Sequence, residues 1–227
     1  MHWMKKITLD CYTSRPDVYE YSQISKSTDY LPAWWKKLPA SKCPVTGELN
    51  SQRTMKSCPG FTDFFKNSYT LPLWSDLKLA ALENDWGYQF ADEQSVVETH
   101  DTAQYEGFMP EAQHFKILSP WKLVCNKPIK WAFVAPTWHD LDAKILSGVV
   151  DYYYQNATHI NLFLNRPKEI ILPLHTPLAH LIPLTEEKIE LRHHLVSYNE
   201  LMRLEKPTLT FTKAYYTIKR LINERSK

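Results

Sequence analysis

Alternation of apolar and polar residues with a period of two dominates the chain from residue 71 onward. Residues 71–79 (LPLWSDLKL) alternate toward their end, and residues 187–197 place Ile189, Leu191 and Leu195 on one side. Such alternation is typical of half-buried β-strands. Further short strands are predicted at 6–12, 87–91, 95–99, 115–118, 121–125, 129–136 and 143–150. A β-hairpin is predicted within 158–184, with residues 166–168 (RPK) as its turn.

Helical spacing is confined to the two ends of the chain. Residues 30–39 (YLPAWWKKLP) predict a short helix bracketed by prolines, with two tryptophans as hydrophobic anchors. Residues 54–65 contain a turn signal followed by a phenylalanine face at helical spacing. Near the C-terminus, 198–205 predict a helical piece and 211–225 a terminal helix with one apolar face.

These elements predict a mainly β fold. Short strands at this density, with connections too short for crossover helices, indicate an all-β sandwich or barrel. The β domain is predicted to span 70–197. An aromatic-rich and proline-rich extension over 1–69 packs on its core, and a helical segment over 198–227 follows it.

Composition narrows the possible functions. The chain has 227 residues, of which 44% are hydrophobic and 13% aromatic, enough for a packed core. It has only 5 glycines, well below the usual ~7% of residues. Phosphate-binding loops need glycine so that backbone N–H groups can approach the ligand. Neither GxGxxG nor GxxxxGK[ST] occurs, which excludes Rossmann and P-loop enzymes.

Charge and cysteine content add three expectations. A net charge of +2, without a basic run, carries no strong signal for nucleic acid. Four cysteines without a CxxC pair predict no metal site and suit a reducing compartment. No signal peptide and no apolar run of about 18 residues is found, so no membrane partner is expected.

One motif carries a family resemblance. Residues 148–155 (GVVDYYYQ), a strand pair and then 177–182 (PLAHLI) resemble the third and fourth motifs of the trimeric dUTPases and dCTP deaminases. The Asp-Leu pair that begins at Asp76 resembles their first motif. The resemblance implies a β-clip fold and a homotrimer with shared sites. It also implies that Asp151 lies beside a nucleoside and activates the attacking water, and that Tyr154 packs against the deoxyribose.

The departures from that family concern the phosphate site. The second motif, which supplies arginine and glycine to the phosphates, corresponds to residues 134–137 (VAPT), which contain neither. In the fourth motif His175 replaces glycine and His180 replaces glutamine, and the glycine-rich C-terminal arm is missing. The groups that bind the phosphates and neutralise their charge usually make the largest contribution to catalysis of phosphoryl transfer. The expectation is therefore the fold without the dUTPase reaction, and no confident catalytic residue; Asp151 takes that role if the chain is active.

Two further residues complete the candidate binding set. Trp138 is an aromatic on which a base could stack. His180 occupies the fourth-motif position. The predicted ligand-binding residues are thus Asp151, Tyr154, Asp76, Trp138 and His180. A purely structural alternative makes Asp151 a turn-capping carboxylate and Tyr154 a packed strand aromatic. No cofactor is expected, except Mg²⁺ if nucleotide phosphates bind.

A second resemblance concerns origin. Residues 31–37 (LPAWWKK), 54–60 (TMKSCPG) and 69–76 (YTLPLWSD) resemble uncharacterised proteins of large tailed bacteriophages. That resemblance implies a viral protein located in the host cytoplasm or the virion. Three functions remain open. The first is a module that binds or sequesters a nucleotide or nucleotide-derived signal and so interferes with host defence. The second is a trimeric virion or assembly protein that contacts phage structural proteins, and the third is a nucleotide hydrolase with a rebuilt phosphate site.

Overall fold

Strands in three sheets carry most of the described chain. The structure is a computed structural model that describes residues 6–39 and 54–204, together with 221 and 224. The strands are β1 (Ile7–Thr13), β2 (Ser25–Lys26), β3 (Tyr69–Pro72), β4 (Leu77–Ala81), β5 (Trp86–Phe90), β6 (Val97–Glu98), β7 (Ala112–Cys125), β8 (Trp131–Val134), β9 (Lys144–Ile145), β10 (Gly148–Val150), β11 (Ala157–Asn165), β12 (Lys168–Leu172), β13 (Pro177–Pro183) and β14 (Ile189–Leu195). The predicted mainly β fold is confirmed.

Helices in the described residues are short. The α-helices are α1 (Pro16–Tyr21), α2 (Ala33–Lys37), α3 (Pro59–Asn67) and α4 (Tyr198–Leu204). Single 3₁₀ turns lie at Ser27–Tyr30, Met55–Ser57 and Thr102–Gln104. The short helices expected within 30–39, 54–65 and 198–205 are confirmed, whereas the helix predicted at 211–225 lies almost entirely outside the described residues.

The sheets are joined through one core. The largest sheet has the order β14-β1-β7-β11-β9, with β6 also paired to β7; the second has the order β10-β8-β13-β3-β2, and the third β12-β4-β5. The β1–β14 pair is parallel, and the remaining pairs of the described strands are antiparallel. Leu9 of the first sheet, Trp131 of the second and Leu79 of the third belong to the same buried cluster. The three sheets therefore stabilise one another through apolar burial.

The N-terminal residues take part in this arrangement. β1 lies between β14 and β7, and Ile7, Leu9 and Cys11 are fully buried. β2 pairs with β3 in the second sheet. Residues that precede position 70 thus supply one interior strand and one edge strand.

The predicted hairpin within 158–184 is wrong. β11 pairs with β7 and β9, whereas β12 pairs with β4 in a different sheet. The chain turns away at Arg166, whose backbone N–H donates to the Glu111 carbonyl (2.9 Å) and whose Nη1 donates to the Glu83 carbonyl (3.0 Å). These bonds anchor the turn to neighbouring loops, so the two strands that follow each other in sequence diverge.

The predicted strand boundaries also differ in three places. The strand predicted at 143–150 is divided into β9 in the largest sheet and β10 in the second sheet. Residues 71–79 form parts of β3 and β4, which belong to different sheets, because the chain bends between them. Asp76 holds that bend: its Oδ1 accepts the Leu174 N–H (2.6 Å), and its carbonyl accepts the Ala91 N–H (2.9 Å). Conversely, the strands predicted at 115–118 and 121–125 form the single strand β7.

Gly148 tests how tightly the second sheet is packed. A methyl group at Gly148 would lie 2.7 Å from Cε1 of Phe133 on the paired strand, whereas one at Gly87 in β5 would meet nothing within 4 Å. We expect Gly148→Ala to lower the free energy of unfolding by about 1–2 kcal/mol through overpacking. Gly87→Ala should be neutral or stabilising by up to about 1 kcal/mol. Urea denaturation of both variants measures the difference, and equal effects would contradict the packing described.

Candidate functional site

Asp151 lies in a tight turn directly after β10. Its carbonyl accepts the N–H groups of Tyr154 (3.0 Å) and Gln155 (3.1 Å), and its Oδ1 accepts the N–H of Tyr153 (3.2 Å). The residue is only 4% exposed. A carboxylate that accepts the N–H two residues ahead forms an Asx turn. Asp151 therefore has the turn-capping role that the sequence left open as its structural alternative.

Tyr154 and Asp76 also have structural contacts. Tyr154 is buried, and its ring meets the edge of Tyr153 at a centroid distance of 4.9 Å. Asp76 is exposed at the bend before β4, where it receives the Leu174 N–H. Asp151 and Tyr154 thus share the turn after β10, and Asp76 stabilises a bend between two sheets.

Trp138 and His180 belong to one group of contacting rings. This aromatic cluster consists of Trp34, Trp35, Phe61, Phe64, Phe65, Trp138 and His180. Trp35 stacks on Trp138, with centroids 5.6 Å apart and planes at 28°, and it packs against Phe65 at 5.9 Å. Phe65 in turn meets His180 edge-on at 5.9 Å. Two of the five predicted binding residues are therefore connected through Trp35 and Phe65.

Short helices present the cluster to the second sheet. Helix α2 follows Pro32, which is extended, and supplies two adjacent tryptophans. Helix α3 begins with Pro59, a favourable first helical residue because its fixed φ suits the helix and it has no N–H to satisfy. Phe61 and Phe65 are four residues apart, so they project from the same face of α3. Local sequence thus determines which rings face the sheet.

His180 is fully buried on β13 between β3 and β8. Its Nδ1 lies 3.0 Å from both Ser27 Oγ and Thr70 Oγ1, and Thr70 Oγ1 donates to Ser27 Oγ (2.9 Å). Within the described residues, its Nε2 is buried and has no hydrogen-bond partner. Burial, assisted by the nearby His139, lowers the pKa of His180 to about 4. The imidazole is therefore neutral at physiological pH and acts as a packed, hydrogen-bonded ring.

A cavity of about 630 Å³ opens beside the cluster, and we call it the indole cavity. It is lined by Pro32, Trp34, Trp138, His139, Asp140, Leu141, Asp142, Glu169, Ile170, Ile171, Leu172, Pro173, Thr176 and Pro177. The indoles of Trp34 and Trp138 meet at 82° with centroids 5.7 Å apart and form one wall. Trp34 is 46% exposed, so its ring is accessible to a ligand.

Trp138 has an unusual backbone conformation. Its φ is 68°, in the left-handed region that costs a non-glycine residue about 1–2 kcal/mol. Its ring is held by Trp35 on one side and by Phe61, which meets it edge-on at 5.0 Å. His139 fixes the next position, because its Nε2 lies 2.9 Å from the Tyr30 carbonyl and must donate to it. Strained residues held by their surroundings are frequent at ligand sites.

The indole cavity is acidic. Asp140, Asp142 and Glu169 line it, and no lysine or arginine is among the described residues of its wall. Lys168 pairs with Asp142, and Lys78 pairs with Glu169 at 2.8 Å. Asp140 Oδ1 accepts the Asp142 N–H at 3.0 Å. The two lysines offset two of the three carboxylates, and the remaining negative charge beside the exposed Trp34 indole attracts a cation.

A second groove, of about 690 Å³, has a different character. Phe64 and Tyr69 contribute rings to its wall, and Lys26, Lys66 and Lys188 contribute cations. The Lys26 Nζ lies 4.0 Å from the centre of the Tyr69 ring and donates to the Lys66 carbonyl (3.2 Å). Three acids, Asp63, Glu186 and Glu187, also line this lysine groove, so its charge is mixed.

Sequence reasoning missed the acidic half of the indole cavity. Trp34 was recognised as a hydrophobic anchor, but Asp140, Asp142 and Glu169 follow no spacing rule that would have brought them together. They converge only because the loop after β8 lies beside β12, a neighbour relation that depends on sheet topology. The Trp-His-Asp run at 138–140 is the one local signal that could have pointed to this loop.

Metal-binding clusters and membrane-spanning helices are both absent from the described residues. No group of three or more His, Cys, Asp or Glu side chains there has an arrangement that could hold a metal ion. Among the same residues, none of the helices has the length and apolarity needed to cross a lipid bilayer.

Comparison with known proteins identified no relative: the chain matches no protein-family profile, no curated protein and no solved structure.

His180 makes stability depend on pH in a defined direction. Its pKa in the folded protein lies below the ordinary value of 6.5, so the unfolded chain binds the proton more tightly. Stability should fall as the pH drops from about 6.5 to about 4, by about 3 kcal/mol from this residue. His114 and His193, whose pKa values burial also lowers, act in the same direction.

The variant His180→Asn isolates this contribution, because the Asn amide can still reach Ser27 and Thr70. Denaturant unfolding at a series of pH values should show a smaller loss for the variant than for the parent protein. Parallel pH profiles of the two proteins would show that His180 does not titrate as described.

Proposed function

We propose that this protein is a binding module whose indole cavity receives a cationic group. The observation that carries the proposal is the convergence of Trp34 and Trp138 with Asp140, Asp142 and Glu169 around one opening. An ammonium or guanidinium group could lie over an indole face while the carboxylates neutralise its charge. The ligand class is therefore an amine or guanidine, free or as part of a larger molecule.

Physical magnitudes favour this ligand class. A cation over an indole contributes about 0.5–1 kcal/mol at an exposed site and about 2 kcal/mol where water is excluded. Guanidinium groups also stack on aromatic rings and form paired hydrogen bonds with carboxylates. A phosphate in the same place would face three carboxylates and neither lysine nor arginine in the described wall, because Lys78 and Lys168 are already paired with Glu169 and Asp142.

Nucleotide binding, implied by the family resemblance, is a second candidate and is favoured by the lysine groove. That groove places the Phe64 ring beside Lys26, Lys66 and Lys188, and an aromatic ring beside cations suits a base and a phosphate. Tyr69 is buried under Lys26, and three acids in the same wall offset part of the positive charge. A nucleotide bound in the lysine groove would lie at a different site from the turn at Asp151 that the resemblance implies. The β-clip relationship, the trimer, the virion role and the rebuilt hydrolase stay predictions.

Titration of the full-length protein with arginine amide tests the first candidate. We expect saturable quenching or enhancement of tryptophan fluorescence that weakens as salt increases, because the attraction is partly Coulombic. Asp140→Asn keeps an oxygen acceptor for the Asp142 N–H but removes a charge, and it should weaken binding by about 1 kcal/mol, or about fivefold. Trp34→Ala should weaken binding by about 1 kcal/mol through the lost indole face.

A matched control is Glu93→Gln, which removes one exposed carboxylate outside the cavity wall. It should leave the affinity for arginine amide unchanged, and thermal unfolding should show that all three variants remain folded. Equal affinities for the parent, Asp140→Asn and Trp34→Ala would reject the indole cavity as the site. Titration with ATP, compared between the parent and Lys26→Gln, tests the lysine groove separately.

A further inference from the structure

Strand β12 forms one side of the indole cavity and lies at the edge of its sheet. In the order β12-β4-β5, β12 pairs with β4 on one side only. Four of its residues, Glu169, Ile170, Ile171 and Leu172, line the cavity. The cavity therefore lies along a strand whose second hydrogen-bonding edge is not used by another described strand.

The side chains of β12 show that the cavity follows the edge itself. Ile170 and Leu172 are buried on the core face, whereas Glu169 and Ile171 are exposed on the other face, and Ile171 is 70% exposed. Successive side chains of a strand alternate between its two faces. Because residues from both faces line the cavity, the opening is beside the backbone of β12 and not above one face of the sheet.

Among the described residues, that backbone has hydrogen-bonding groups without a backbone partner. In an antiparallel pair, every second residue directs its N–H and C=O away from the partner strand. In the five-residue β12, about two or three residues therefore point these groups toward the cavity. An open edge of this kind is a template for a further strand.

We propose that the indole cavity binds an extended segment of another protein, which pairs with β12 and places a lysine or arginine between the indoles and the carboxylates. This inference rests on the proposed function, since it identifies the cationic group as a peptide side chain. Strand addition supplies main-chain hydrogen bonds, and the cavity supplies the selection of one side chain. Charge complementarity identifies the occupant, because the described wall carries three acids and neither lysine nor arginine. Lys168 and Lys78 offset Asp142 and Glu169 from outside the wall, so Asp140 supplies the charge that selects the cation.

The alternation of β12 also predicts the flanking residues. Glu169 and Ile171 lie on the same face of β12, so a peptide strand whose cationic side chain reaches Glu169 directs the side chains on either side of it to the face of Ile170 and Leu172. Those two side chains offer apolar cross-strand contacts. The preferred sequence is thus a lysine or arginine flanked by β-branched residues.

The test uses the full-length chain and the peptide acetyl-Thr-Val-Arg-Val-Thr-amide, with arginine amide as the reference ligand. We expect the peptide to bind at least about tenfold more tightly, since each main-chain hydrogen bond contributes a modest net stabilisation. The matched control is a pair of isomers of this peptide. Each carries N-methyl groups on alternate amides, at odd positions in one isomer and at even positions in the other. One isomer should lose about tenfold in affinity and the other should bind as the parent peptide does, because only alternate N–H groups of the peptide face β12.

Three results would overturn the inference. If arginine amide binds but the peptide binds no more tightly, the cavity takes a cation without strand pairing, and only this inference fails. Equal affinities for the two N-methylated isomers lead to the same conclusion. If citrulline replaces arginine in the peptide without loss, the occupant is not selected by charge, and the proposed function fails as well.

Discussion

The stacking of Trp35 on Trp138 is the contact on which the candidate site depends. Trp35 is nearly fully buried, and it touches Trp34, Phe61, Phe65 and Trp138. Aromatic pairs of this kind contribute about 0.5–1.5 kcal/mol each beyond their buried area. Through these contacts, one ring orients helix α2, helix α3 and the loop after β8 together. That arrangement includes the left-handed backbone of Trp138 and the accessible face of Trp34.

The fold was predictable to the extent that it is local. Period-two alternation located nearly all the strands, because a half-buried strand must alternate wherever it lies in a sheet. Pairing was not predictable in the same way, as β11 and β12 show. Only two residues separate them, yet Arg166 is anchored to the Glu111 and Glu83 carbonyls and directs β12 to another sheet. Such anchors join residues that are far apart in sequence and leave no periodic signal.

The residues of the candidate site were even less predictable from the sequence than the strand pairing. The motif at 148–155 predicted binding roles for Asp151 and Tyr154. In the structure, the spacing of Gly148 and Asp151 belongs to a close-packed strand that is followed by a capped turn. Gly148 fits there because Phe133 occupies the space that a side chain would need. By contrast, the indole cavity combines residues from α2, the loop after β8 and β12. Trp138 alone among the predicted binding residues lies in its wall.

The central claim is that a cation binds at the cavity wall formed by Trp34 and Trp138, and ligand-induced changes at individual tryptophans test it most directly. In a protein labelled with 5-fluorotryptophan, each ring resonance can be assigned by single substitution and followed during titration with arginine amide. The account predicts saturable shifts for Trp34 and Trp138, and no shift for Trp121 and Trp131, which are fully buried in the core. Unchanged Trp34 and Trp138 resonances at saturating ligand, or shifts confined to other tryptophans, would contradict it.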